Sequence, residues 1–296
     1  MAARLNIAAL ALTLIATGGV ALGARCMTPG LARCSLASLT GRAPDLDVPY
    51  LGTRPPVVAG MLDLAEVEPG DRLLDLGTGD GRIVVAAARR GASALGVDID
   101  PVLVAEARDA AARAGVADRA RFKVQDLFAT PLAGRDVVTM YLLPSINLRL
   151  RPRLLAELRP GARVVSHAFD MGDWRPDVVT HVGGARLYLW RIPARVDGEW
   201  RFSEPGRAPA RLLLHQKFQN VGGTLIRDGR RQPLTDTRLD GDRLRFAVDE
   251  GSARRTYEGV VRGGAITGIG PTWRATRGPS GSDSAASSQP SRRSMS

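Results

Sequence analysis

The sequence is poor in the residues from which metal sites and disulfide frameworks are built. Only two cysteines and three histidines occur among its 296 residues. Cys26 and Cys34 have no histidine near them, so they cannot complete a zinc site, and no metal centre is expected. The two thiols can pair if their segment is exported; otherwise they are unpaired cysteines without a chemical role.

Lysine is equally scarce, and arginine supplies almost all of the formal net charge of +11. With 44% hydrophobic and 24% charged residues, the chain can bury a large core and is neither collagen-like, coiled-coil nor generally disordered. A charge of this size first suggests nucleic-acid binding. However, residues 1–44 hold +4, residues 45–195 only +1 and residues 196–296 +6. Because the middle of the chain is nearly neutral, no nucleic-acid partner is expected.

An apolar stretch occupies residues 1–24. Its length is close to the roughly 20 residues that a helix needs to cross a bilayer. Ala21–Gly23 resembles a small-x-small cleavage site, so a signal peptide followed by export is the alternative. The positive-inside rule favours an uncleaved anchor with the rest of the chain in the cytoplasm, and a basic flank suits an anionic membrane surface. The arginines that follow the stretch are Arg25, Arg33 and Arg42.

The remaining chain divides into a linker, an α/β domain, a β domain and a tail. After the linker at 25–47, short apolar strands alternate with helices through residues 48–194, which predicts a doubly wound, mostly parallel sheet. Ligands of such sheets bind beyond the carboxyl ends of the strands. Residues 195–277 show short strands and hairpin turns, which predict a small antiparallel sheet or barrel. The Ser-rich residues 278–296 are typical of a disordered tail.

A glycine-rich loop follows the first predicted strand, Arg72 to Leu76. Its glycines are spaced G-x-G-x-G, one residue tighter than the dinucleotide pattern. Asp75 and Asp80 bring two carboxylates to this loop, and these repel a pyrophosphate but suit a cationic ligand. The loop therefore favours a positively charged ligand without phosphates.

Two further acids follow the next strands. Asp98 is placed to accept hydrogen bonds from ribose hydroxyls, and Asp126 to accept one from a base amino group unless it only caps a turn. A positively charged adenosine ligand without phosphates is S-adenosylmethionine. The predicted cofactor-binding residues are Asp75, Gly77, Thr78, Gly79, Asp80, Gly81, Asp98, Ile99, Asp126 and Leu127.

The stretch LLDLGTGDG at 73–81, with Asp98 and Asp126 in series, resembles the class I S-adenosylmethionine-dependent methyltransferases. More narrowly, residues 48–177 resemble a family of protein-lysine methyltransferases. This family includes the mitochondrial enzymes that modify the ATP synthase c subunit and the adenine nucleotide translocase. The matching pieces are VPY at 48–50, VVTMYLLP at 137–144 and NLR at 147–149, and the bacterial relatives also have a stretch like SHAFDMGDW at 166–174.

The resemblance implies a Rossmann-like sheet of the seven-stranded methyltransferase type and a protein lysine as the methyl acceptor, a membrane protein being one possibility. Tyr50 and Tyr141 are the implied catalytic residues, at the methyl group and the incoming lysine. The implied substrate contacts also include Thr53, and Trp174 either covers the substrate or only anchors its loop. His167 is interpreted as a core histidine.

Three functions remain open from the sequence. The first is a membrane-anchored methyltransferase that acts on a protein lysine. The second is a methyltransferase for a small or lipid-like molecule, because no residue identifies the acceptor. The third is an exported binding protein that has a methyltransferase-like fold but no activity; the complete set of acids and glycines argues against it.

Overall fold

The computed structural model describes residues 51–270 and 272–278. The predicted anchor, both cysteines, Tyr50 and the predicted tail beyond Gly278 lie outside the described residues. Within the part that is described, no helix is long and apolar enough to span a membrane. The anchor and its orientation stay predictions.

A seven-stranded sheet forms the first domain, with strand order β3-β2-β1-β4-β5-β7-β6. Strands β1 to β5 run parallel, whereas β7 is antiparallel to both of its neighbours. The strand order reverses between β1 and β4, which opens the crevice where ligands of such sheets bind. The predicted α/β sheet is therefore confirmed. Its strands are β1 Arg72–Leu76, β2 Ser93–Asp98, β3 Ala120–Val124, β4 Val137–Met140, β5 Arg163–His167, β6 Val178–Val182 and β7 Ala185–Arg191.

Four helices within residues 51–270 cover the two faces of this sheet. Three of them begin at a proline, whose fixed φ suits the first helical position. One apolar core contains residues of α1, α2 and α3, and a second contains residues of α4. A single turn of 3-10 helix, Leu127–Ala129, follows β3. The helices are α1 Pro55–Leu64, α2 Arg82–Arg89, α3 Pro101–Arg113 and α4 Pro144–Glu157.

The second domain is a closed antiparallel barrel of eight strands, in the order β10-β11-β12-β13-β14-β15-β8-β9. Closure leaves no unpaired strand edge. Aromatic rings from three strands and one loop fill its interior, namely Trp200, Phe202, Phe246, Tyr257 and Trp273. The strands are β8 Gly198–Ser203, β9 Ala210–Lys217, β10 Asn220–Arg227, β11 Arg230–Asp240, β12 Arg243–Glu250, β13 Ala253–Arg262, β14 Ala265–Gly268 and β15 Arg274–Arg277.

The β9–β10 hairpin of the barrel packs against the loop that follows β5. Phe218 stacks on Trp174 with ring centroids 5.9 Å apart. The side chain of Gln219 accepts a hydrogen bond from Trp174 Nε1 at 3.0 Å and donates one to the carbonyl oxygen of Arg175 at 2.7 Å. The barrel is thereby fixed to a loop that starts at the carboxyl end of the sheet.

Candidate active site

The glycine-rich loop lies at the carboxyl end of β1 and has a backbone that only glycine adopts easily. Gly77, Gly79 and Gly81 have φ of 74°, 54° and 78°, in the left-handed region. A Cβ atom on Gly81 would lie 2.7 Å from both the Cβ atom of Ala107 and the ring of Phe122. The sequence therefore fixes a loop with its backbone open to a ligand.

Asp75 supports this loop from beneath. It is only 2% exposed, and its carboxylate accepts hydrogen bonds from Thr78 Oγ1 at 2.8 Å and Thr139 Oγ1 at 2.7 Å. Burial raises the pKa of Asp75 to about 6, while the two hydroxyls act against this shift. The carboxylate of Asp75 is thus placed to attract a bound cation, and its hydrogen bond to Thr78 fixes the glycine-rich loop.

Asp98 joins the end of β2 to the same loop. Its Oδ2 accepts a hydrogen bond from the backbone N–H of Gly79 at 2.8 Å, and its Oδ1 accepts one from that of Asp100 at 3.0 Å. The backbone N–H of Ile99 also interacts with this carboxylate, so of about four acceptor positions one remains for a ribose hydroxyl. Ile99, beside it, is 44% exposed and offers an apolar surface on which a base can lie. Burial raises the pKa of Asp98.

Asp126 caps the short turn after β3, since its Oδ1 accepts a hydrogen bond from the backbone N–H of Phe128 at 2.7 Å. This is the structural role that the sequence left open. The hydrogen bond uses one oxygen of an exposed carboxylate, so the other remains available to a base amino group. The half-buried Leu127 follows it directly.

Asp80 holds Arg82. The two carboxylate oxygens of Asp80 accept hydrogen bonds from Arg82 Nε at 2.8 Å and Nη2 at 2.5 Å. Arg82 Nη1 also donates to the carbonyl oxygen of Thr53 at 2.7 Å. Through Arg82, Asp80 therefore connects the glycine-rich loop to Thr53, a predicted acceptor contact that lies just before α1.

A cavity of about 500 Å³ opens at the carboxyl ends of β4 and β5. Tyr141 follows β4, and its ring lies against the ring of His167 with centroids 3.8 Å apart. Thr53 Oγ1 is hydrogen bonded to His167 Nδ1 at 3.2 Å. Two predicted acceptor contacts, Thr53 and Tyr141, are thereby brought together by a histidine. Tyr50 lies outside the described residues, so its role stays a prediction.

Trp174 has a different position from the one expected for a substrate contact. It is fully buried, stacks between Trp190 and Phe218, and does not line the cavity beside Tyr141. Its ring fills the junction between the sheet and the barrel hairpin. This corrects the prediction of a substrate contact and supports the alternative, in which Trp174 anchors its loop.

Several residues of the cavity were not identified from the sequence. His167 was interpreted as a core residue, although as the last residue of β5 it occupies the edge where ligands bind. Arg54, His181 and Arg186 also line the cavity. Arg186 belongs to β7, and its antiparallel position beside β5 cannot be read from local spacing.

The residues around the glycine-rich loop fit S-adenosylmethionine. The left-handed glycines leave the backbone open, Asp98 retains an acceptor position for the ribose, and Ile99 is exposed for the adenine. The buried Asp75 places negative charge beneath the loop, which favours a ligand with an ammonium and a sulfonium group. No group of histidines, cysteines or acids suited to a metal occurs within residues 51–270 and 272–278.

Comparison with known proteins agrees with this geometry. A family model described as the ANTKMT methyltransferase domain matches residues 75–178. A protein-lysine N-methyltransferase of Saccharolobus islandicus is 41% identical over 151 residues, which is 49% of this chain and 94% of the relative. The adenine nucleotide translocase lysine N-methyltransferase of Mus musculus is 38% identical over 148 residues, 50% of this chain and 64% of that protein.

A solved structure of an RNA methyltransferase from Salinibacter ruber in complex with S-adenosyl-L-homocysteine is 51% identical. It covers 49% of this chain and 96% of its own, with a TM-score of 0.48. The archaeal relative is matched over almost its whole length, whereas the chain spans under two thirds of the mouse relative. The chain therefore belongs to the family of the archaeal protein-lysine N-methyltransferase and is a methyltransferase that uses S-adenosylmethionine as its cofactor.

Proposed function

We propose that the enzyme transfers the methyl group of S-adenosylmethionine to the side-chain nitrogen of a lysine in another protein. The observation that carries the proposal is the cavity beside Tyr141 and His167, which adjoins the strand ends that hold the glycine-rich loop. The ring of Tyr141 packs on that of His167 and gives the cavity a wall along which a lysine side chain can lie. The names of the archaeal and mouse relatives support the same acceptor.

The chain's own residues mainly position the reactants and exclude water. When bound, the cofactor supplies an electrophilic methyl group on a positively charged sulfur. The glycine-rich loop and Asp98 hold the cofactor side of the site. Tyr141 borders the acceptor side, and the buried Thr53 supports it through its hydrogen bond to His167. Holding nucleophile and electrophile in line is worth a large part of the barrier in such a displacement.

The acceptor amine must arrive without its proton, because only its lone pair can form the new nitrogen–carbon bond. Lysine has an ordinary pKa of about 10.4. Contact with the rings of Tyr141 and His167 removes water from the ammonium, and the nearby Arg54 repels it, so both lower the lysine pKa. Burial, together with Arg54, also lowers the pKa of His167, which keeps that ring uncharged at neutral pH.

The experiment that tests the proposal is incubation of a membrane extract with the enzyme and methyl-labelled cofactor, followed by identification of the labelled species. We expect label on lysine side chains of protein. Label on a lipid or small molecule contradicts the lysine assignment, and no label together with no cofactor binding favours a non-enzymatic protein.

Tyr141→Ala is the matched variant. We expect methyl transfer to fall by about 100-fold or more through loss of positioning, while cofactor affinity, measured by calorimetry, stays within about twofold of wild type. Tyr141→Phe retains the aromatic ring but lacks the hydroxyl, and it serves as the control that separates the contribution of the ring from that of the hydroxyl. Equal turnover of wild type and Tyr141→Ala contradicts a role for this residue.

We further propose that residues 1–24 anchor the enzyme in a membrane with its catalytic domain on the cytoplasmic side, where the acceptor is a membrane protein. The basic flank after the apolar stretch supports this orientation. Fractionation of cells, with mass spectrometry of the N-terminus, tests it. An intact N-terminus in the membrane fraction is expected, and a chain beginning after Gly23 contradicts the anchor.

A further inference from the structure

The acceptor cavity has an unusual charge for a pocket that receives lysine. Its ten lining residues include two arginines, Arg54 and Arg186, and two histidines, His167 and His181. No aspartate or glutamate of the described residues is among them. A lysine ammonium that enters this cavity therefore meets the positive charge of the two arginines, and its neutral form is favoured.

Arg54 contributes a charge that no carboxylate neutralises. It is exposed, and within residues 51–270 and 272–278 it forms neither an ion pair nor a side-chain hydrogen bond. Its Nη2 atom lies close to the turn between β6 and β7, near Gly183 and Gly184. Its guanidinium is therefore held at the rim of the cavity and is accessible to an incoming group.

Arg186 lies in the same hairpin. Its Nε is 3.3 Å from His181 Nε2, and its Nη1 is 3.4 Å from the hydroxyl oxygen of Tyr188. Neither partner is anionic. Asp170, in the loop after β5, attracts Arg186 without forming an ion pair with it. The two arginines thus leave an excess of positive charge on the rim, and their planar guanidinium groups suit a carboxylate.

We propose that Arg54 and Arg186 form a carboxylate-binding subsite, and that the acceptor has an aspartate or glutamate beside the lysine that is methylated. This inference rests on the proposed transfer to a protein lysine and states which lysines are chosen. The acidic neighbour offsets the repulsion between the rim and the acceptor, while the lysine nitrogen itself enters neutral. The cavity therefore rejects lysines that lie among other cations.

The test is a library of lysine-centred peptides with the flanking positions varied, incubated with the full chain and methyl-labelled cofactor. We expect acidic residues to be enriched beside the methylated lysine. A matched pair from the library, one with glutamate and one with glutamine at the preferred position, then gives kcat and KM separately. We expect kcat/KM to be about tenfold higher for the glutamate peptide, mostly through KM, which is the size of one charge-assisted hydrogen bond.

The variants sharpen this test. Arg54→Gln with Arg186→Gln should remove the advantage of the glutamate peptide, so that kcat/KM becomes equal for the glutamate and glutamine peptides whatever change is common to both. Arg54→Glu with Arg186→Glu should make a lysine-flanked peptide the better substrate. Arg113→Gln is the control, because Arg113 is an exposed arginine of α3 that does not line the acceptor cavity and should leave the preference intact.

The outcomes separate the two proposals. Methylation of glutamate and glutamine peptides with equal kcat/KM, or a preference that the double variant retains, overturns the carboxylate subsite but leaves lysine transfer standing. Failure of every peptide, with label found on an anionic small molecule in the extract, overturns the lysine acceptor and this inference with it. A preference that weakens as salt is added is a further expected result, because the rim is exposed.

Discussion

The two halves of the site lie on the same edge of one sheet but have opposite charge. The cofactor half, at the ends of β1 and β2, contains Asp75 and Asp98, whereas the acceptor half, at β4, β5 and β7, is bordered by Arg54 and Arg186. The acids attract the positively charged sulfonium of the cofactor. The cations disfavour the ammonium form of the acceptor and so favour its neutral, reactive amine. The difference indicates that the chain distinguishes its two ligands by charge as well as by shape.

The largest expected effect comes from the cofactor half. Asp98→Ala removes the ribose acceptor and also releases the backbone N–H of Gly79. We expect cofactor affinity to fall by about 100-fold or more, because hydrogen bonds to a charged group are worth about 1.5–3 kcal/mol each. Calorimetry with S-adenosylmethionine measures this. The control is Asp109→Ala, which removes an exposed acid of α3 and should bind the cofactor normally. Unchanged cofactor affinity of Asp98→Ala would show that Asp98 does not hold the cofactor.

A second effect follows from the pKa of Asp75, which burial raises from 3.8 to about 6. A cationic cofactor favours the ionised carboxylate, so affinity should weaken below about pH 6, by up to about tenfold per pH unit. The stability of the free protein has the opposite sign: a raised pKa contributes stability that is present below about pH 4 and is lost as the pH rises through 6. Titration calorimetry between pH 5 and about 8 tests the first effect.

Asp75→Asn should abolish both dependences. The variant keeps a polar group between Thr78 and Thr139, so its fold should survive. If the affinity of Asp75→Asn still falls with acid, the titrating group lies elsewhere, and the charge of the cofactor half has been assigned to the wrong carboxylate.

The smallest effect concerns how the barrel supports the acceptor half. Phe218 has a φ of 56°, which is unfavourable for an aromatic residue, yet it stacks on Trp174. Phe218→Ala should lower the free energy of unfolding by about 1–2 kcal/mol. It should raise the acceptor KM a few-fold while cofactor affinity stays unchanged, because only the loop after β5 is loosened. Phe218→Leu, which retains apolar contact, should show less of both changes.

The cofactor half could be predicted from sequence because its parts are local. The glycines and Asp75 follow one strand within a few positions, and Asp98 ends the next, so strand order alone brings them together. The fold class was accessible for the same reason, through alternating strands and helices. Asp126 shows the limit of this reasoning. Its position after a strand fits either a contact to the base or a cap of the next turn, and the sequence could not decide between them.

In the acceptor half, the resemblance pointed to Thr53 and Tyr141, but the charged residues could not be predicted from local pattern. Arg54 precedes a helix, His167 ends β5 and Arg186 lies on β7, and only the antiparallel insertion of β7 brings the last two together. The sequence could not decide whether Trp174 covers the substrate or anchors its loop, because its partner, Phe218, belongs to a hairpin of another domain. Hairpins predicted the barrel's strands, but closure depends on the pairing of β8 with β15, which are far apart in sequence.

The contact between Gly161 and Gly241 has a consequence for how the two domains move. A Cβ atom on Gly241 would lie 2.9 Å from the Cα atom of Gly161, and the Gly241 carbonyl oxygen accepts a hydrogen bond from Ala194 at 2.8 Å. With this contact at the short connection and Phe218 packed at the loop after β5, the barrel touches the first domain at two separate points. We therefore expect a partner that binds the barrel to alter the position of the loop after β5, and with it the entrance of the acceptor cavity.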